Sequence, residues 1–231
     1  MRDRSHLARA LKGAVVGCPP EEVPRRLCAV LSRALPVDAV TVSLLTDTPS
    51  RQLLCASNQM AVILEEVQFT VVEGPCITAA AGGEPVHLID WGSGARPWPL
   101  SAPALWERCP DIAAVHAFPL GAGDGVLGSL DLVSRTPGGM PADVIEEAAE
   151  AAGAVAEALP PAQQLLSGDG DFPAWEPADV VRVHWSNTHQ AIGVVMVRKG
   201  LDAETALALM RAQAFAAGRT LAEVTAEVLG T

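Results

Sequence analysis

The chain has 231 residues, 49% of them hydrophobic and 19% charged, with a formal net charge of −11. That composition supplies ample material for packed cores and excludes wholesale disorder. The acidic balance argues against a nonspecific nucleic-acid coat or a binder of anionic membranes. The excess negative charge lies before residue 178, because 178–231 hold five basic and five acidic residues. The longest apolar runs, such as Ala191 to Val197, fall far short of the roughly 20 residues a membrane span needs. The short apolar stretch after the basic N-terminus is a poor export signal. Cys18, Cys28, Cys55, Cys76 and Cys109 are an odd number without Cys-x-x-Cys spacing, so they imply neither a disulfide framework nor a zinc knuckle. No metal site is indicated, and a cytoplasmic location is expected.

Val23, Leu27, Val30, Leu31 and Ala34 recur at helical spacing and predict a helix from about Glu21 to Leu35, stopped by Pro36. Asp38 to Thr46 alternates around β-branched residues, and Arg51 to Ser57 is its predicted partner after the Asp47-Thr-Pro-Ser50 turn. Glu73-Gly-Pro-Cys-Ile-Thr-Ala-Ala-Ala81 reads as a glycine turn and then a helix with Pro75 in its first turn, ended by Gly82-Gly83. A short strand over Val86 to Ile89 and a helix over Trp98 to Arg108 follow. Ile112 to Leu120 and Val126 to Ser134 are strands of a second hairpin. Gly121-Ala-Gly-Asp-Gly125 between them lacks the lysine and following helix of a phosphate loop, so it reads as the turn. Ala142 to Leu159 carries Val144, Ile145, Ala148, Ala152 and Val155 on one stripe and predicts an amphipathic helix suited to pairing with a second copy.

Pro160-Pro161 and the Ser167 to Pro177 region are turn- and linker-like. From Ala178 onward the pattern is helical throughout. One helix runs to Lys199 and breaks at Gly200, a second is capped by Asp202 and ends at Ala217, and a third follows Gly218. Thr220-Leu-Ala-Glu223 has capping-box form. Val181, Trp185, Thr188, Ile192 and Val195 make a stripe on the first of these helices, expected as core or dimer seam. His184 and His189, five apart, do not share a face. No GxSxG, HExxH or supported Ser-His-Asp arrangement is visible, and no enzyme is expected.

Thr188-His-Gln-Ala-Ile-Gly-Val-Val-Met-Val-Arg-Lys-Gly200, Asp202 to Ala206, Leu209 to Phe215 and Gly218 to Val224 together resemble the ANTAR domain. The resemblance implies an RNA-binding transcription antiterminator that holds a paired-hairpin element and so prevents a terminator stem. His189, Gln190, Ala191, Gly193, Arg198, Lys199, Arg211 and Arg219 are the implied RNA contacts. Among them Ala191 and Gly193 leave a small-residue patch for close approach, and the cations are available to phosphates. Family members often carry lysine where Ile192 stands and more basic residues in and after the third helix, which leaves open a dimerisation or protein-docking module without RNA binding.

Residues 21–159 resemble a GAF domain through Glu73-Gly-Pro-Cys-Ile-Thr-Ala, Pro85-Val86, Ala117-Phe-Pro-Leu120 and Leu127-Gly-Ser-Leu-Asp-Leu132. The expected fold is therefore an α+β sensor with an antiparallel sheet flanked by helices, then an all-α three-helix unit. The expected order is an N-terminal extension (1–20), the GAF-like domain (21–159), a linker (160–177) and the ANTAR domain (178–231). The resemblance places Cys76, His87, Asp90, Trp98, Arg108 and His116 around a ligand cavity. Read from the residues alone, Trp98 and His116 are core, Arg108 is a solvated charge and Cys76 is either a buried small residue or a redox sensor at a helix N-terminus. No cofactor is evident, and the Asn-Lys-x-Phe-Asp-Glu signature of cyclic-nucleotide binders is not visible. A GAF-fold sulfoxide reductase would need Cys76 and Cys109 at one pocket. The expected partners are a two-hairpin RNA, a second copy of the chain and a small molecule.

Overall fold

A computed structural model describes residues 5–44, 52–88, 97–122, 125–159 and 182–231. Its first part is built on a five-stranded antiparallel sheet in the order β2-β1-β5-β4-β3, formed by β1 (Ala39–Leu44), β2 (Gln52–Ala56), β3 (Val86–Leu88), β4 (Ala114–Ala122) and β5 (Gly125–Ser134). Central β1 is buried on both faces and alternates between two cores. Val40, Val42 and Leu44 face one core with α2 (Val23–Ala34) and α6 (Ala142–Ala158). Ala39 belongs to the other, with α3 (Gln59–Val71) and α5 (Ser101–Arg108), while α4 (Pro75–Gly82) packs on β4 and β5. Both strand pairs and the sequence-predicted helices are present among the described residues, with ends moved by up to three residues, while the expected start of the helix from Ala178 lies outside them.

Two of the described helices carry no expectation from the sequence. Residues 1–20, read as an extension, contain α1 (Ser5–Ala14), which buries Leu7 and Leu11 against α2 and α6. The stripe of α6 that the sequence offers to a second copy is thus largely covered from within the chain. The second is α3, with Asn58 as N-cap accepting from the Ala61 N–H. Nine of its residues are buried, including Glu65 and Gln68, so no single apolar face stands out.

The C-terminal helices α7 (Arg182–Lys199), α8 (Ala203–Ala216) and α9 (Leu221–Leu229) close on Ala191, Ile192, Val195, Leu207, Met210, Ala214, Leu221 and Val224. Their ends follow the expected chemistry. The Asp202 carboxylate accepts from Thr205 N–H, and Thr220 and Glu223 complete the reciprocal capping box. Gly200 and Gly218 take the left-handed conformation at the two turns, with φ of 67° and 63°. Thr188, Ile192 and Val195 of the expected stripe are buried. The 160–177 linker, the first residues of the 178–231 segment with Val181, and the side chains of His184 and Trp185 lie outside the described residues.

Candidate functional site

The sheet face beneath α3 and α4 is polar at its centre. Thr41 and Asp131 are paired across β1 and β5, as are Ser43 and Ser129, and all four are buried. From above, α3 lowers Glu65 and Gln68 onto them. Thr41 Oγ1 donates to Glu65 Oε1 at 2.7 Å, Gln68 Nε2 donates to Asp131 Oδ2 at 3.2 Å, and Ser129 Oγ donates to Asp131 Oδ1 at 2.5 Å. Gln68 Oε1 accepts the Cys76 backbone N–H at 2.9 Å, which fixes the orientation of its amide.

The glycine turn before α4 explains that last bond. Gly74 has φ of 146°, and a Cβ there would lie 2.4 Å from Gln68 Oε1, so only glycine lets the chain press Cys76 onto the Gln68 amide. Glu73 turns outward, and its Oε1 accepts the backbone N–H groups of Leu100 and Ser101, capping α5 from across the domain. Glu65, Cys76 and Asp131 each offer a ligand-type atom within 4.8 Å of the others.

The described residues among the six that the resemblance places around a cavity do not all meet at one place. Of these described residues, Cys76 reaches this cluster. Trp98 is core, with its Nε1–H donated to Thr78 Oγ1 at 3.0 Å. Asp90 lies outside the described residues. His87 and His116 are cross-strand partners on the opposite sheet face, with Nδ1 atoms 3.0 Å apart. Because His116 Nε2 accepts the Met140 N–H, the His116 proton sits on Nδ1 and is donated to His87.

Burial, and then His87, hold the fully buried His116 down at about 4 from its ordinary 6.5. The unfolded chain therefore takes up this proton near pH 6.5 and the folded chain only near 4. Stability is full above pH 6.5 and falls by on the order of 3 kcal/mol as pH drops to 4. Urea midpoints between pH 7.5 and 4.5 are expected to fall less steeply for His116→Gln than for the parent chain. Identical slopes would contradict this origin.

Arg108 points away from the cluster and joins the two parts of the chain. Its Nη2 donates to Gly218 O at 2.8 Å and lies 3.3 Å from Glu223. The Thr220 backbone N–H, with a smaller contribution from Arg108, holds the Glu223 carboxyl below its ordinary value. Beside this pair, Thr70 Oγ1 accepts the Leu221 N–H at 2.9 Å. Phe69 is buried in the core of α7–α9, with the Arg211 guanidinium 5.4 Å from its ring centroid. Helix α3 is thus a shared wall, with Glu65 and Gln68 on the polar cluster and Phe69 and Thr70 on the C-terminal helices.

The RNA candidates are divided by this arrangement. Arg198 and Lys199 are exposed at the end of α7. Gln190 is exposed, His189 and Gly193 are half-buried, and Ala191 is wholly inside the three-helix core. Arg211 lies on Phe69, while Arg219 is bonded to the Glu227 carboxylate and, at 2.7 Å, to Glu223 O.

The family model of the GAF domain matches residues 19–159, and that of the ANTAR domain matches residues 187–229. The chain belongs to the GAF family. Its architecture is GAF followed by ANTAR, a pairing of regulatory domains. Similar solved structures include a free methionine-R-sulfoxide reductase from Neisseria meningitidis, 16% identical over 70% of this chain and 90% of that one, TM-score 0.54. GAF domains of phosphoenolpyruvate-protein phosphotransferases also match. The one from Acinetobacter has 13% identity over 74% and 99%, and the one from Coxiella burnetii 18% over 70% and 95%, each with TM-score 0.52. At these identities the likeness concerns the GAF fold alone. No curated protein matches the chain. No described helix is long and apolar enough to cross a membrane.

Glu65, Gln68, Asp131, Phe69 and Thr70 escape a motif-based reading. One signal was available: Asp131 is the charged residue of the central strand β5, and an acid there is buried for a reason.

Proposed function

We propose that this chain is a signal-responsive transcription antitermination regulator and not an enzyme. The GAF domain receives a small-molecule signal, and the ANTAR helices bind paired hairpins in nascent RNA so that the terminator stem does not form. The supporting observation is the shared α3 wall, which lets a change at the polar cluster alter the seat of the ANTAR helices. A pair of chains presents two ANTAR units to two hairpins, and the work on nascent RNA is cytoplasmic.

Arg198 and Lys199 are the cations already open to phosphates, with Gln190 and His189 on the same helix. In fluorescence titrations over a salt series, the whole chain is expected to bind a two-hairpin RNA in preference to a single hairpin. Arg198→Ala/Lys199→Ala is expected to lower affinity at least tenfold and to flatten the salt slope by one to two phosphate contacts, about 0.7–0.9 each. Equal binding of both RNAs, or no binding at low salt, would leave the balanced charge of 178–231 better explained by a docking module.

A further inference from the structure

We propose that Glu65, Cys76 and Asp131 form a binding site for one first-row divalent transition-metal ion of the zinc or iron(II) type. The site is the polar cluster of the proposed sensor, so its regulatory meaning rests on that reading, although its coordination chemistry does not.

Three separate elements bring a carboxylate oxygen from α3, a sulfur from α4 and a carboxylate oxygen from β5 within 4.8 Å of one another, all on buried residues. Metal–oxygen and metal–sulfur bonds of about 2.0–2.3 Å put the ligand atoms of a tetrahedral ion roughly 3.5 Å apart, within reach of this spacing. The second observation is Ser43. Its Oγ is buried and has no hydrogen-bond partner, and Ser43 itself is 1% exposed. It lies on the same β1 face as Thr41, directly across from Ser129, and so turns an oxygen with open lone pairs toward the cluster.

The surrounding hydrogen bonds are those of an outer shell around metal ligands. Thr41 donates to Glu65, while Gln68 and Ser129 donate to the two oxygens of Asp131, which orients both carboxylates. The donor set also selects the ion. One sulfur disfavours magnesium and calcium, and two carboxylates disfavour copper(I), which leaves borderline dications. On binding, the Cys76 S–H bond breaks, a metal–sulfur bond forms and the proton leaves to solvent.

The test is a Co2+ titration of the whole chain after reduction and treatment with a chelator. One Co2+ per chain is expected, with thiolate-to-cobalt charge-transfer absorption that stoichiometric Zn2+ abolishes. Cys76→Ser should lose that absorption and bind at least tenfold more weakly. Cys109→Ser should keep it, and Ser43→Ala, which removes only a hydroxyl, should keep it with reduced affinity. No uptake by the parent chain would overturn the inference, as would charge-transfer absorption that survives Cys76→Ser. Titrating the same samples with two-hairpin RNA separates the two readings. Metal uptake without any change in RNA affinity keeps the site and refutes its sensory role, whereas selective RNA binding without metal uptake removes the site and leaves the antiterminator.

Discussion

Gly128→Ala is expected to destabilise the GAF domain severely. Gly128 lies in β5 between Leu44 of β1 and Leu120 of β4, at the middle of the sheet. A Cβ on it would sit 1.9 Å from Ser43 O, 2.9 Å from Ser43 C and 3.0 Å from Leu44 Cα. All three are backbone atoms of a strand buried on both faces, so no side-chain rotation relieves the overlap. Ordinary overpacking costs about 1–3 kcal/mol. Forcing two central strands apart also breaks ladder hydrogen bonds, and a loss above about 4 kcal/mol is expected against a total near 5–15. Gly153→Ala is the contrast, because it adds a Cβ in open space on helix α6. There a gain of up to about 1 kcal/mol is expected. Urea unfolding of the two variants checks both. A folded Gly128→Ala chain with a parent-like midpoint would show that β1 and β5 are not so closely apposed.

Phe69→Ala is expected to release the ANTAR helices while the GAF domain stays folded. Phe69 is 3% exposed, yet it belongs to neither GAF core and is buried among α7–α9. Its truncation costs about 3–5 kcal/mol of packing, with a further 0.5–2 or so for the Arg211 guanidinium held over the ring. Other ties among the described residues include the Thr70–Leu221 bond and the partly exposed Arg108 contacts. Hydrogen exchange is expected to quicken across α7–α9 and the outer side of α3, with β1, β4 and β5 unchanged. Unaltered protection of α7–α9 would mean that Phe69 does not hold the seat.

The elements with strong local punctuation were legible in the sequence. Gly74-Pro75 set the start of α4 and Gly83 its end, while Asp202, Thr220 and Glu223 marked the caps of α8 and α9. Helix α3 was not legible for a physical reason. It meets the sheet on one side and the ANTAR helices on the other, so apolar residues surround it and no 3.6-residue stripe emerges. The same double contact hid the site, because Glu65 and Gln68 look like surface residues until the fold sets them over Thr41 and Asp131. Arg108 looked like a solvated charge, and only the docking of α8 and α9 gives it partners 110 and 115 residues away.

In the proposed function, signal control of RNA binding would turn on what happens when α7–α9 leave α3. Undocking frees Arg211 for phosphates and leaves Arg198 and Lys199 as they are. The most direct measurement is the affinity of the parent chain and of Phe69→Ala for a two-hairpin RNA at one fixed salt concentration, with a single-hairpin control. The expected result is tighter binding by Phe69→Ala, at least fivefold, confined to the two-hairpin RNA. Equal or weaker binding by a Phe69→Ala chain whose ANTAR helices remain folded would contradict the account.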